Sequence, residues 1–324
     1  MNKIHLLLIA IFFSISISKS EDKFEYKQSS IKIEHITSDT LDNLIAKSGK
    51  KAFLQKLDSN ISKLTYQIKF STQNTRNEKV AFQIIGLNQH FNLKIDSFLV
   101  FPQIIDKLNK GIDRVYGTML GNTKEGILFI EEAKKNKIDF NKVFVNDVYK
   151  TEVRNGFYIF CNYADAIKES SLDTFYKAAL IYPNNIRNEF YYALAEFDRN
   201  CGNEINNSKY YKDLLYNKMK EDMSLENALT DTTQLNSMNA SKFSLTDKYR
   251  FFAYSLYAKN FDIKNNQKEV IYFLSSQNKV DGGFKEYNLD SNSKESKSKI
   301  EPTFYAFWAL LELREQINAL YPDK

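Results

Sequence analysis

The fold is decided by one stretch of the sequence, which reads Val270-Ile-Tyr-Phe-Leu274, then Gln277-Asn-Lys-Val-Asp281-Gly-Gly-Phe284 and, after a polar loop, Glu301-Pro-Thr-Phe-Tyr-Ala-Phe-Trp-Ala-Leu-Leu-Glu-Leu-Arg314. The first segment supplies the apolar face of a helix. The adjacent glycines permit positive φ and close backbone approach in a tight turn after that helix. The last segment is apolar around nearly its whole circumference, and a helix of that kind is expected to be buried.

Polar residues at the turn fit the same interpretation. Asp281 is placed to accept hydrogen bonds from nearby backbone N–H groups, and Phe284 to anchor the turn in the core. Gln277 is within reach of the end of the next helix. Pro302 and Glu301 suit the first turn of a helix, where no N–H is needed and negative charge is favoured. The stretch therefore predicts an outer helix, a turn, a loop and a buried inner helix.

This unit resembles one repeat of the terpenoid cyclase and prenyltransferase α/α-toroid families, in which Leu-x-x-Gln is followed by Asp-Gly-Gly-Phe and then by Thr-x-Tyr-Ala. The matching residues are Leu274, Gln277, Asp281, Gly282, Gly283, Phe284, Thr303, Tyr305, Ala306, Ala309 and Leu310, and Trp308 lies on the same inner helix. No second Asp-Gly-Gly occurs. The resemblance implies an all-α fold of helical hairpins that form a complete or partial α/α toroid, and largely structural roles for the motif residues.

Composition favours helices along the rest of the chain. Among 324 residues there are 10 Gly and 4 Pro, fewer than turn-rich β folds usually need, and 43% hydrophobic residues exclude a chain disordered throughout. We divide the remainder into an N-terminal extension, short β or irregular (21–36), a helical-hairpin region (37–221), a linker-like loop (222–243) and the toroid-repeat region (244–324). Helices are predicted at 97–109, 123–136, 156–169, 171–181, 186–199, 207–220, 245–260, 266–277 and 302–320.

Residues 1–20 have the layout of a secretory signal peptide. Lys3 precedes the apolar stretch 6–17, and Ser18 and Ser20 provide small residues for cleavage after Ser20. No later stretch has the ~18 apolar residues of a membrane-spanning helix. We therefore expect a secreted or periplasmic protein without a transmembrane helix after the signal peptide.

The cysteines leave two possibilities open, and the charge argues against one class of function. Cys161 and Cys201 are the only cysteines. They either form a disulfide in an oxidising compartment or remain buried thiols. The 45 basic and 40 acidic residues alternate without a basic run, which argues against nucleic-acid binding.

The catalytic residues of the families that the chain resembles are not matched. Terpenoid cyclases of this type use clustered aspartates, and no Asp-Asp pair occurs here. Protein prenyltransferases use an Asp/Cys/His zinc site, whereas His90 and Cys201 are the last residues of their kinds and precede the repeat. No metal or cofactor is predicted.

Tyr249, Phe252 and Tyr257 either line a cavity or belong to the core.

These observations favour a non-catalytic, exported helical-repeat protein that binds an apolar ligand, a glycan or a protein partner. One alternative is an exported toroid-fold enzyme, either a polysaccharide lyase or hydrolase or an enzyme acting on isoprenoids. A second is a tetratricopeptide-like scaffold, suggested by Phe175, Ala178 and Pro183 at the close of a helix.

Overall fold

A computed structural model shows an all-α arrangement, with helices and no strands among the residues that it describes. These residues are 40–75, 87, 90–93, 176–177, 179–181, 184–200, 207–225, 245–278, 281–286 and 298–322. The main helices are α1 (Leu41–Ser48), α2 (Lys50–Thr75), α3 (Asn184–Asn200), α4 (Ser208–Met219), α5 (Leu245–Tyr257), α6 (Gln267–Ser275) and α7 (Ile300–Leu320).

Helix α7 lies at the centre of the described packing. It packs against both α5 and α2, while α5 also packs against α3, and α3 against α4. Helix α1 contacts both α2 and α6. From Pro302 to Leu313 every residue of α7 is buried, as predicted from its apolar circumference.

The start of the first helical region differs from the sequence-based expectation. By residue type, Ser38 or Asp39 is the predicted cap of a helix that carries Leu41, Leu44, Ile45, Phe53 and Leu54. In the structure, the hydroxyl of Thr40 caps α1 by accepting the backbone N–H of Asn43 at 3.2 Å. Gly49 then separates α1 from α2 with a φ of 78°, a conformation that suits glycine. Residues 64–70, where apolar and polar residues alternate and the sequence alone does not distinguish strand from helix, belong to α2.

The predicted helices at 186–199, 207–220, 245–260, 266–277 and 302–320 correspond closely to α3 to α7. Those predicted at 97–109, 123–136 and 156–169 lie outside the described residues. So do the signal peptide, the N-terminal extension, most of the predicted linker, the pair Cys161 and Cys201, and the tetratricopeptide-like residues Phe175, Ala178 and Pro183.

Polar side chains tie α1 and α2 to distant parts of the chain. Arg314 of α7 donates to Asp58 of α2 across 2.8 Å. The Asp42 carboxylate of α1 accepts hydrogen bonds from Tyr321, which follows α7, and from Lys264, which precedes α6. These bonds lower the pKa of Asp42 to about 2, with that from Tyr321 having the largest effect. Helices far apart in sequence are thereby joined at their exposed edges.

None of the helices in the described part of the chain combines the length and apolar character needed to cross a bilayer.

A pair of leucines on α7 tests the central position of this helix. Leu313 is fully buried, whereas Leu320 in the last turn is 43% exposed. Leu313→Ala should lower the free energy of unfolding by about 2–5 kcal/mol, because it leaves a cavity in a packed interior. Leu320→Ala should change it by less than about 0.5 kcal/mol. Urea denaturation followed by circular dichroism measures both, and equal effects would contradict the proposed packing.

Candidate functional site

The turn between α6 and α7 is organised by the Asp281 carboxylate. One oxygen accepts the backbone N–H of Gly283 at 3.1 Å and the hydroxyl of Ser298 at 2.6 Å, and the other accepts the backbone N–H of Ser298 at 2.8 Å. The Asp281 carbonyl accepts a further bond from Gln67 of α2 at 2.6 Å. Asp281 thus joins the turn to the residues that lead into α7.

The two glycines of the turn have different reasons to be glycine. Gly282 has a φ of 75°, in the region that residues with a Cβ rarely adopt. Gly283 is limited by space, since an added Cβ would lie 2.6 Å from the Ser298 Cβ and 2.9 Å from the Thr303 hydroxyl. The side chain of Gln277 donates to the Gly282 carbonyl at 2.6 Å, so it bonds within its own turn rather than across to the next helix end.

Phe284 and Thr303 fasten the turn to the start of α7. The Phe284 backbone N–H donates to the Thr303 hydroxyl at 2.9 Å, and the Phe284 ring is buried against Tyr249 and Phe273. Further along α7, Tyr305 packs edge-on to Tyr254, with ring centroids 5.8 Å apart. The motif residues therefore occupy one continuous structural unit.

The aromatic residues considered as cavity lining lie in a packed interior. Tyr249, Phe252 and Tyr257 are all buried. The Phe252 ring packs against Phe273 with centroids 4.8 Å apart, and the Tyr257 ring lies 5.7 Å from that of Trp308. At these distances the rings are in contact with one another.

Trp308, the one tryptophan of the chain, lies among the tyrosine rings of α3 and α5. Its ring centroid is 5.5 Å from that of Tyr192 and 5.3 Å from that of Tyr254. Its indole N–H donates to Oε1 of Glu312, one helical turn further along α7, at 3.3 Å. A buried carboxyl group therefore lies beside a cluster of aromatic rings.

Glu312 has an unusual protonation equilibrium. Its side chain is 5% exposed, and burial raises its pKa from 4.5 to about 7, because an apolar environment disfavours the charged form. The Arg199 guanidinium and the Trp308 indole oppose this shift and lower the pKa. Glu312 is consequently able to gain or lose a proton near neutral pH.

Arg199 covers Glu312 from the end of α3. Its guanidinium lies 4.0 Å from a Glu312 oxygen and 4.2 Å from the centre of the Tyr257 ring, and it donates to the Tyr257 carbonyl at 3.3 Å. It also lies 3.0 Å from Nε2 of His90. Since arginine can only donate, this ring nitrogen accepts the bond and carries no proton. Burial and the charge of Arg199 lower the pKa of His90.

Glu312, Arg199 and His90 form the candidate functional site, because they join a protonatable buried carboxyl to two partly exposed basic groups. Such a group can hold or transfer a proton at neutral pH. Neither Glu312 nor Arg199 is predicted as a site residue from the sequence. A signal was present for Glu312, since it is the one charged residue between Pro302 and Leu313. No sequence pattern indicated that Arg199 would reach it.

Within the described residues there is no group of three or more His, Cys, Asp or Glu side chains arranged to hold a metal ion.

Comparison of the chain with family models, with curated proteins and with solved structures found no match.

Replacement of Gly283 tests the close approach in the turn. Gly283→Val should lower the free energy of unfolding by about 1–3 kcal/mol or more, because the new side chain collides with Ser298 and Thr303. Thermal and urea denaturation measure this loss. A control is Gly49→Ala, where an added Cβ has nothing within 4 Å and only the positive φ is unfavourable. A Gly283→Val protein as stable as wild type would contradict the steric explanation.

The Glu312 carboxyl should make stability depend on pH. Its pKa is raised on folding, so its stabilising contribution is present in acid and is lost as the pH rises from about 4.5 to about 7. The shift corresponds to a loss of roughly 3 kcal/mol in the free energy of unfolding. Glu312→Gln should lack this loss. Because His90 is present in both proteins, the difference between their urea midpoints from about pH 5 to pH 8 isolates Glu312.

Parallel pH profiles of the two proteins would show that Glu312 titrates normally. His90 changes the free energy of unfolding with pH in the direction opposite to Glu312. Its pKa is lowered on folding, so its contribution is present above its unfolded value of 6.5 and is lost in acid.

Proposed function

We propose that this chain is an exported helical-repeat protein whose C-terminal part is related to the α/α toroids of terpenoid cyclases and prenyltransferases. We further propose that it binds a ligand or partner and does not carry out terpenoid cyclase chemistry. The observation that carries the proposal is the unit formed by α6, the turn at Asp281 and α7. In it a short helix is followed by a tight glycine turn and by a helix that is buried on all sides from Pro302 to Leu313.

The details of that unit support a toroid-like repeat. The Asp281 carboxylate accepts the backbone N–H groups of Gly283 and Ser298, which is typical of a residue that stabilises a turn. Thr303 bonds back to Phe284 and so fixes where the inner helix starts. Asp281, Phe284 and Thr303 thus each have a structural role in the turn.

Binding is favoured over terpenoid chemistry by the same contacts and by the sequence. Asp281 is held in the turn, and the chain contains no paired aspartates that would start a carbocation. The aromatic rings of α5 and α7 pack on one another at contact distance. We therefore place the binding surface outside this ring cluster, on the remaining faces of the helical array.

Export is supported by the sequence of residues 1–20. The basic start, the apolar stretch and the small residues at Ser18 and Ser20 predict cleavage after Ser20 and release into a secreted or periplasmic location.

An exported toroid-fold enzyme is the second candidate, and the Glu312 site favours it. A carboxyl group with a pKa of about 7 beside a tryptophan and an arginine has the properties of a general acid. Polysaccharide hydrolases and lyases use groups of this kind, and Glu312 would then be the proton donor.

Expression of the full chain in a secreting host tests the binding proposal. The intact mass of the released protein should begin at Glu21, because cleavage is expected after Ser20. Native mass spectrometry should then detect a copurified lipid or glycan that dissociates on denaturation. A retained N-terminus would contradict export, and a consistently empty protein that captures neither class would contradict ligand binding.

The same preparation tests the enzyme. Wild type and Glu312→Gln are incubated with a panel of neutral and acidic polysaccharides, and the release of reducing ends is measured. Glu315→Gln serves as the control, because this exposed carboxyl lies on the same helix. Cleavage by wild type and by the control, with at least a hundredfold loss in Glu312→Gln, would favour the enzyme over the binding module.

A further inference from the structure

Arg199 occupies a position where four segments of the chain meet. It extends from the last turn of α3, lies over Tyr257 at the end of α5, approaches Glu312 of α7 and bonds His90. Its own side chain is 28% exposed, whereas that of Glu312 is 5% exposed. Arg199 is therefore the outer partner of an ion pair whose inner partner is buried.

We propose that Arg199 is a proton-controlled latch, which holds the end of α3 and the segment of His90 to α7 while Glu312 is ionised and releases them when Glu312 binds a proton. The inference rests on the geometry of the three side chains and goes beyond the proposed function. It would apply equally to a binding module and to an enzyme.

The charges that face Glu312 make Arg199 the dominant partner. Lys259, which follows α5, also attracts the carboxylate, and Glu315 on α7 repels it, both more weakly than Arg199 attracts it. The acid that α2 presents to this end of α7 is Asp58, which binds Arg314. Ionised Glu312 therefore depends chiefly on Arg199 for compensation of its charge.

Acid weakens the hold of Arg199 in two ways. Protonation of Glu312 removes the negative charge that attracts the guanidinium across 4.0 Å. Protonation of His90 removes the lone pair that accepts the bond from Arg199 and places a like charge 3.0 Å away. The neutral Glu312 carboxyl remains compatible with its apolar surroundings. The core should therefore stay folded while the edge that Arg199 holds loosens.

Trp308 supplies a built-in probe, because it is the one tryptophan and its indole donates to Glu312. Excitation at the red edge of the absorption band, where tyrosine contributes little, isolates its emission. Between about pH 5 and pH 9 the emission of wild type should show one transition near pH 7, since a charge appears beside the ring. Glu312→Gln should abolish this transition, and Glu315→Gln should retain it.

Arg199→Gln separates a latch from a merely structural contact. Loss of the guanidinium removes an attraction that favours the carboxylate, so the Trp308 transition should move to higher pH. A transition at the wild-type pH in Arg199→Gln, or no transition in wild type, would overturn the proposal. The pH of the Trp308 transition in Arg199→Gln therefore tests the latch even if Glu312→Gln fails to fold.

Release of α3 is measured by hydrogen exchange of the peptide that covers residues 194–200. At about pH 8, Glu312→Gln and Arg199→Gln should exchange roughly threefold to tenfold faster there than wild type, because both lack the ion pair. At about pH 5, Glu312→Gln and wild type should agree. Because the proteins are compared at equal pH, the pH dependence of the intrinsic exchange rate cancels. Equal protection at about pH 8 in all three proteins would refute the latch.

Discussion

The part of α7 from Pro302 to Leu313 is apolar on nearly every side and must be surrounded on every side, and it imposes this constraint on the rest of the structure. Helices α5 and α2 cover two of its flanks, and the turn after α6 closes over its first residues. Helix α3 packs against α5 and reaches α7 through Tyr192 and Arg199, and α4 packs against α3. The arrangement of the described helices can thus be traced outward from the burial of a single element.

The same constraint explains the polar groups near α7. In an apolar interior each polar group needs a partner, and those at the start of α7 obtain one from the turn or from α5. Thr303 is paired with Phe284, and Arg250 of α5 reaches Glu301 at 2.6 Å. The charged form of Glu312 is unfavourable in this interior, since the burial that makes α7 central raises the pKa of Glu312. The fold and the candidate site therefore have one physical cause.

Much of this could be predicted from the sequence, and the part that could not is informative. The burial of α7, the turn at Asp281 and the positions of α3 to α7 follow from local patterns of apolar residues, glycine and proline. Thr40 was missed as a cap because the neighbouring Ser38 and Asp39 are equally good candidates by type. Arg199 was missed because its contact with Glu312 depends on how α3 packs, and local sequence carries no record of that packing. The toroid itself stays a prediction.

The ties between α2 and α7 have a consequence for how the chain reaches this structure. Asp58 and Arg314 are separated by 256 positions, and Gln67 and Asp281 by 214. During synthesis the apolar face of α2 emerges long before the helix that covers it. Closing so long a loop is slow, and the uncovered face is prone to aggregate in the meantime. Assembly of this protein should therefore be limited by the late arrival of α7, and the apolar face of α2 stays uncovered until then.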